Sequence, residues 1–414
     1  MKTIKLDNGL CINLVPVKGA KIFKMMFIVR TGISYETPST LGYSHLLEHM
    51  FIDSNPNFTG IKGIEELEKK GIDSNASTSH TCVDYYFTGS AKYWETIFDF
   101  MSECLVNPKF TQKVFTREKH AVIEELKNHL DDSRRKFKDT IQSVLYDPSI
   151  LGKSVAATLE NTKKCKLNDI KKFYKNHYSP QNVSILIMGK FPMAKIVKKL
   201  SIFNNFTNII KNDLPNIHVN NIPKTIFVQE KKIDKTYCNM IFQLKLKSFD
   251  HDFYTAKVLE YILTDGFLSV LYKMLRIEKK YIYHMSTELS STYYDSDFAI
   301  IFNTDTKNFK NCIKCIFDSL NDLKKTINKK AYNMARQKIK TDWEKVTTNN
   351  KFSELSSHYE KIIIANIPAF SIDTYYKNLL SVTQHDIKKL LRAYFNQDNC
   401  WIFYCNKNKK MINL

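Results

Sequence analysis

Apolar residues along the 414-residue chain follow two patterns, which predict strands and helices. Short runs rich in β-branched and aromatic residues predict strands at 4–6, 10–16, 22–29, 75–78, 82–88 and 182–188. Apolar residues at helical spacing predict helices opening at Gly42 and at 61–70, 92–105, 111–130, 136–146 and 167–176. The second half of the chain shows the same two patterns. They predict strands at 225–229, 236–247, 282–290, 297–303 and 400–404. They predict helices at 251–263, 267–277, 308–323, 330–346, 352–365 and 384–395. We therefore predict an α+β fold of two similar domains, each a mostly antiparallel sheet packed with helices.

A short repeat supports two domains of one design. Residues 168–172 and 385–389 share an Asp-Ile-Lys-Lys sequence at an offset of 217 (386 against 169), and a strand follows each at the same interval. Residues 206–224 are rich in Asn and include Pro215 and Pro223, which predicts a linker. Because the chain is also too long for one ordinary core, the predicted domains are 1–205 and 225–414.

The stretch His45-Leu-Leu-Glu48-His49 is the clearest chemical signal in the sequence. On a helix, residues four apart lie on one face, so the two imidazoles can bind one metal ion together. Glu48 sits beside that face and can reach a water molecule on the metal. This is the HxxEH order, a motif of zinc peptidases.

A catalytic zinc needs a third protein ligand. The predicted helix at 111–130 offers Glu118, His120, Glu124 and Glu125. Glu118 and Glu125 are two helical turns apart and share a face, so one can bind the metal while the other supports the site. Spacing alone leaves His120, Glu124 and Glu125 open as ligands.

Together, the HxxEH stretch and Glu118-Lys-His-Ala-Val-Ile-Glu-Glu125 resemble the pitrilysin and insulin-degrading-enzyme family, which includes the mitochondrial processing peptidases. The resemblance implies a Zn²⁺ ion bound by His45, His49 and Glu125, with Glu118 as a supporting glutamate. The segment 75–78 resembles the family's NAxT strand, which pairs with substrate backbone. The substrate-binding residues implied by that strand are Asn75, Ala76 and Ser77.

The resemblance continues in the second half, where residues 271–283 are similar to the family's LFxxIRExxGLAY segment. Arg276 and Tyr283 match its substrate-contacting Arg and Tyr, and are implied as catalytic residues beside Glu48. Two positions depart from the pattern, since Ile277 replaces a Glu and Lys280 replaces a Gly.

The resemblance implies a zinc-dependent endopeptidase that hydrolyses peptides or unfolded segments bound by strand addition. The family's active site is enclosed by two two-domain halves, and this chain matches one half. We therefore expect a homodimer or a heterodimer with a similar chain. The alternative is a non-catalytic scaffold or partner subunit of a heterodimeric peptidase, but a scaffold has no need for the zinc ligands or Glu48.

Composition narrows the remaining functional classes of protein. The net charge is +20, from 62 Lys and Arg against 42 Asp and Glu, yet these charges are dispersed and form no nucleic-acid-reading motif. This dispersal and the missing motif argue against nucleic-acid binding. The positive net charge alone leaves only a weak case for a basic protein that binds an anionic partner. Nine cysteines at irregular spacing, Cys312 and Cys315 among them, are typical of reduced thiols. With no signal peptide or membrane span visible, we expect a cytoplasmic protein without a membrane partner.

Overall fold

The computed structural model describes residues 1–58, 61–208, 210, 212–348, 352–408 and 411–412. Within these described residues, eleven strands form two sheets: β1 Lys2–Lys5, β2 Cys11–Pro16, β3 Ile22–Val29, β4 Asp73–Thr78, β5 Val83–Ser90, β6 Val183–Gly189, β7 Thr225–Gln229, β8 Thr236–Leu244, β9 Ile282–Ser291, β10 Ser296–Thr304 and β11 Cys400–Asn406. The helices are α1 Tyr43–Phe51, α2 Ile61–Glu68, α3 Trp94–Val106, α4 Gln112–Asp131, α5 Ser133–Tyr146, α6 Val155–Lys164, α7 Leu167–His177, α8 Met193–Lys199, α9 His251–Leu263, α10 Val270–Tyr272, α11 Phe309–Lys325, α12 Lys329–Thr348, α13 Phe352–Ile364, α14 Ile372–Ser381 and α15 Gln384–Tyr394.

The chain forms two compact units that exchange segments. The first comprises Met1–Asp132, Tyr146–His218 and Phe352–Ala369, and the second comprises Ser133–Leu145, Val219–Lys351 and Phe370–Leu414. Helix α13 thus belongs to the first unit although its sequence lies in the second half of the chain. Helix α5, apart from its last residue, belongs to the second unit although its sequence lies in the first half. The predicted boundaries at 1–205, 206–224 and 225–414 stay a prediction about autonomous domains.

The first sheet has the strand order β1-β2-β6-β3-β5-β4, and only the β2–β6 pair is parallel among the described strands. Its inner face packs apolar residues such as Phe27 and Tyr85 against α1 and α3. On the outer face, α13 packs against β3 and β6, where Met26 and Leu186 are buried register partners. The strand β4 lies at the edge of this sheet and carries the stretch predicted to bind substrate.

The second sheet, in the order β7-β11-β8-β10-β9, repeats the design of the first, although none of the described strands is a counterpart of β1. Its β7–β11 pair is parallel and the remaining described pairs are antiparallel. Helices α12, α14 and α15 and strand β11 begin 217 residues after α4, α6, α7 and β6 (329, 372, 384 and 400 against 112, 155, 167 and 183). The predicted α+β fold of two similar, mostly antiparallel domains is confirmed.

The repeat also includes equivalent hydrogen bonds at the beginnings of its helices and strands. Asp169 and Asp386 each accept a hydrogen bond from the backbone N–H three residues earlier, at 2.9 Å, and so start α7 and α15 in the same way. Asn182 and Asn399 each donate from the side-chain amide to the carbonyl oxygen five residues earlier, before β6 and β11. The short sequence repeat therefore marks positions where the backbone needs a particular side chain.

Three helices, α6, α8 and α14, were not predicted from the sequence. Each buries only one or two side chains, so its apolar stripe is too sparse for periodicity to reveal it. The helix predicted at 267–277 is also wrong in form: a single α-turn, α10, leads into a π-helix at Lys273–Glu278. No helix in the described part of the chain is long and apolar enough to cross a membrane.

Candidate metal centre

Helix α1 carries the HxxEH stretch, and a buried carboxylate fixes its start. Glu36 accepts hydrogen bonds from the backbone N–H groups of Gly42 and Ser44, each at 2.7 Å. Gly42 has a φ of 95°, and a Cβ there would lie 2.7 Å from the Thr158 side chain, so the turn into α1 requires glycine. Burial raises the pKa of Glu36 to about 7.

The side chains of His45 and His49 leave α1 on one face and meet Glu125 of α4. The two Nε2 atoms are 3.2 Å apart, and Glu125 Oε2 lies 3.6 Å from His45 Nε2 and 3.7 Å from His49 Nε2. Two ligands about 2.1 Å from a tetrahedral zinc are about 3.4 Å apart. The three atoms therefore fit one zinc ion without rearrangement, and this is the one such three-residue group among the described residues.

Tertiary packing distinguishes the candidate third ligands. Val122 and Leu126 anchor α4 in the core, which directs Glu125 toward the two histidines. Glu124 instead pairs with Lys127 at 2.6 Å on the exposed side, and His120 is exposed. Of the alternatives that spacing left open, the structure brings Glu125 to the cluster.

Electrostatics distinguish the two imidazoles. Burial, together with the nearby His49, lowers the pKa of His45 to about 4. Burial also disfavours the charged form of His49, but its hydrogen bond to Glu118 and the surrounding carboxylates raise the pKa of His49 overall. The two pKa values are thus shifted in opposite directions, and zinc binding requires the Nε2 atoms of both histidines to be unprotonated.

Glu118 supports His49 from the side away from the cluster. Its Oε2 lies 3.3 Å from His49 Nδ1, the ring nitrogen left to donate when Nε2 faces the metal position. Arg117 donates to Glu118 Oε1 at 2.6 Å and also pairs with Asp53, which is buried after α1. Burial opposes ionisation, but the contacts with His49 and Arg117 lower the pKa of Glu118.

Glu48 is held by a residue that the sequence reasoning did not single out. The Thr78 hydroxyl donates to Glu48 Oε2 at 3.0 Å, and this oxygen is 4.0 Å from His45 Nε2. Burial raises the pKa of Glu48, which suits a group that accepts a proton near neutral pH. The sequence does mark Thr78, because it ends the stretch that resembles the NAxT strand. Its contact with Glu48 of α1 is tertiary, so the sequence alone does not reveal that contact.

Strand β4 presents its side chains to two different faces. Thr78 points toward α1, whereas Ser77 bonds Asp84 at 2.5 Å and Asn75 lies 3.5 Å from the Tyr86 hydroxyl, on the opposite face. Among the described strands β4 pairs only with β5, so its other edge is available to a further strand.

Arg276 and Tyr283 lie in the second unit and contact each other there. Arg276 donates to the Tyr283 carbonyl oxygen, and its guanidinium lies 4.4 Å from the centre of the Tyr283 ring and 5.4 Å from that of Tyr272. The Tyr283 side chain is exposed. Lys280 has a φ of 56°, so this departure from the family pattern sits where the backbone favours glycine.

Among the described residues of the second unit there is no counterpart of the metal cluster. At the offset of 217, Ala335 and Asp342 of α12 replace Glu118 and Glu125. Asp342 instead accepts a hydrogen bond from Tyr261 of α9 at 3.3 Å. The same helix pairing thus persists with its metal ligands replaced.

Two repeated α+β units with a single HxxEH cluster define the fold class of the inverted zinc peptidases. The profile of the family described as Insulinase (Peptidase family M16) matches residues 18–163, and that described as Peptidase M16 inactive domain matches residues 164–339. The chain belongs to peptidase family M16, which confirms the resemblance seen in the sequence.

Several relatives support the family across the chain. It is 23% identical over 299 residues to an uncharacterized zinc protease of Rickettsia bellii, covering 72% of each chain. It is 22% identical over 408 residues to the uncharacterized zinc protease YmxG of Bacillus subtilis, covering 96% of each. A crystal structure of a protease from Helicobacter pylori has a TM-score of 0.86 over 98% of both chains at 18% identity, which shows a shared fold.

The names of other relatives differ on activity and assembly. A protein of Helicobacter pylori called "Non-peptidase homolog YmxG" is 22% identical over 270 residues, covering 65% of this chain and 61% of that protein. A probable mitochondrial-processing peptidase subunit beta of Arabidopsis thaliana is 24% identical over 195 residues, covering 47% of this chain and 37% of that protein. Family membership therefore does not by itself decide whether a member is catalytic.

Proposed function

We propose that the chain is a zinc-dependent endopeptidase. The observation that carries this proposal is the spacing of His45 Nε2, His49 Nε2 and Glu125 Oε2, which lie 3.2–3.7 Å from one another. A non-catalytic subunit has no need for such a triangle, nor for a carboxylate beside it. In the second unit, whose described residues form no such cluster, Asp342 stands at the position equivalent to Glu125 and accepts a hydrogen bond from Tyr261.

Zinc bound by these three residues would polarise the scissile carbonyl and lower the pKa of water toward neutral. Glu48 takes the proton of the attacking water and later returns it to the leaving amine. The Thr78 hydroxyl keeps Glu48 Oε2 aimed at the site, and Glu118 keeps the proton of His49 on Nδ1 so that Nε2 stays free for the metal.

The substrate adds to β4 as a further strand. The free edge of β4 offers backbone N–H and C=O groups beside Thr78, which contacts the proposed general base. Because this mode reads backbone more than side chains, extended peptides and unfolded segments are the expected substrates. Asn75, Ala76 and Ser77 then contribute mainly through the backbone, since Asn75 and Ser77 direct their side chains to the other face.

Arg276 and Tyr283 are proposed to bind substrate carbonyls in a homodimer or heterodimer with a similar chain. Their support is the mutual contact of the two side chains and the exposure of Tyr283. A π-helix at Lys273–Glu278 presents Arg276, and such helices recur at functional sites. A cytoplasmic location remains part of the proposal.

The decisive experiment compares three glutamate variants. Glu48→Gln is expected to retain zinc and lose peptidase activity by at least about a hundredfold, because the general base is gone. Glu125→Gln is expected to lose zinc, whereas the adjacent Glu124→Gln, which changes an exposed side chain paired with Lys127, keeps both zinc and activity. Zinc is measured by atomic absorption, and activity on unstructured peptides.

Two outcomes would redirect the proposal. If the wild-type chain binds zinc but cleaves no peptide alone or with a related chain, it is a non-catalytic partner subunit. If Glu48→Gln keeps full activity and zinc, Glu48 is not the general base and the mechanism is wrong.

A further inference from the structure

The outer face of the first sheet carries a charged cluster that the proposed mechanism does not use. Lys24 of β3 lies in the interior of this face with Asp84 of β5, which is 6% exposed, and Glu360 of α13. The face otherwise buries apolar side chains such as Met26 and Leu186. A buried charged group is weak evidence for stability, because apolar residues of similar size stabilise a core at least as well.

The cluster is connected to the strand proposed to receive the substrate. Asp84 accepts a hydrogen bond from Ser77 at 2.5 Å, and these two residues are register partners in the β4–β5 pair. Tyr86 is the register partner of Asn75, and its hydroxyl lies 3.5 Å from the Asn75 side-chain amide. Asn75 and Ser77, two of the three β4 residues that face outward, are therefore tied to β5.

Lys24 contacts one of these two ties directly. Its Nζ lies 4.0 Å from the centre of the Tyr86 ring and donates to Ser356 Oγ at 2.8 Å. Burial raises the pKa of Asp84, and the charge of Lys24 opposes that rise. One ammonium group thus contacts the register partner of Asn75 and is itself held by α13.

We propose that Lys24 is a positioning residue that acts through Tyr86 to fix β4 in register for a peptide substrate. This inference rests on the proposed function, in which β4 pairs with the substrate. An edge strand pairs along one side only, so side-chain contacts across that pairing add to the backbone ladder in setting its register. On the inner face Thr78 of β4 holds Glu48, and on the outer face Asn75 meets Tyr86, which Lys24 contacts.

The test measures order in β4 without substrate. In Lys24→Met, hydrogen exchange of the backbone amides of residues 74–78 is expected to be about tenfold faster than in wild type, because a hydrogen bond to a charged group is lost. Lys24→Arg keeps the charge and is expected to restore slow exchange. Lys195→Met makes the same change on exposed α8 and is expected to leave β4 exchange unchanged.

Peptidase activity provides a second test of the proposed role of Lys24. Lys24→Met is expected to raise KM for an extended peptide of about ten residues roughly tenfold while zinc content stays unchanged, because strand alignment is a binding contribution. Tyr86→Phe keeps the ring beside Lys24 and removes only the hydroxyl near the Asn75 side-chain amide, so it tests the same route if Lys24→Met does not fold. It is expected to accelerate exchange in the same segment.

The two proposals fail separately. If the wild-type protein cleaves no peptide, the proposed function is wrong, but the exchange experiment still reports on Lys24. If exchange of residues 74–78 is unchanged in Lys24→Met, or in Tyr86→Phe where Lys24→Met does not fold, Lys24 does not position β4 and the inference is overturned.

Discussion

Replacing Thr78 with valine tests whether β4 controls the general base. Valine has nearly the same shape as threonine and suits a β-strand, so it removes one hydroxyl and little else. That hydroxyl donates to Glu48 Oε2 at 3.0 Å from a half-buried position. Neither atom belongs to the three zinc ligands, so we expect the zinc content of Thr78→Val to equal that of wild type.

The expected effect follows from the kind of bond that is lost. A hydrogen bond to a charged group contributes about 1.5–3 kcal/mol, and half-burial places this bond near the lower end. At about 1.4 kcal/mol for each factor of ten, kcat is expected to fall roughly tenfold to thirtyfold. The hydroxyl also lowers the pKa of Glu48, so its loss raises that pKa further, and the acidic limb of the kcat profile moves to higher pH.

The assay is the pH dependence of kcat on a peptide substrate, with zinc measured in the same samples. Thr225→Val provides the control, because it makes the same change at a half-buried strand position in the second unit. The control is expected to match wild type in both kcat and pH profile. An unchanged kcat together with an unmoved acidic limb in Thr78→Val would refute the assigned role of Thr78.

Two further predictions concern stability. Because burial raises the pKa of Glu36 from 4.5 to about 7, its protonation stabilises the folded state fully below pH 4.5, and this contribution is lost as the pH rises through 7. The free energy of unfolding of wild type relative to Glu36→Gln should therefore fall by up to about 3 kcal/mol over this range in urea titrations, and parallel curves would contradict it. A fragment of residues 1–205 lacks α13 and exposes Met26 and Leu186, so it is expected to show no cooperative urea transition. Appending residues 352–369 through a flexible linker should restore that transition, whereas a cooperative transition in the short fragment would show that the predicted domain is autonomous.

Local sequence determined much of the fold. Strands such as Ile22–Val29 and helices such as Gln112–Asp131 have strong apolar periodicity, and their observed bounds lie close to the predicted ones. The repeat at an offset of 217 is also legible, because Asp169 and Asp386 start equivalent helices. Helices with one or two buried side chains, such as Val155–Lys164, carry too little periodic signal to be predicted.

In the candidate site as well, local sequence determines some features and tertiary structure decides others. Spacing on a single helix determines that His45 and His49 share a face, because the 3.6-residue turn is a local property. The choice of Glu125 over Glu124 depends on how α4 packs against α1, and the contact of Thr78 with Glu48 joins a strand and a helix 30 residues apart. Only the tertiary structure decides such contacts, because they depend on packing between elements rather than on the period of either one. The same holds for Lys24, whose partners Tyr86 and Ser356 come from distant parts of the chain and meet only when α13 covers the first sheet.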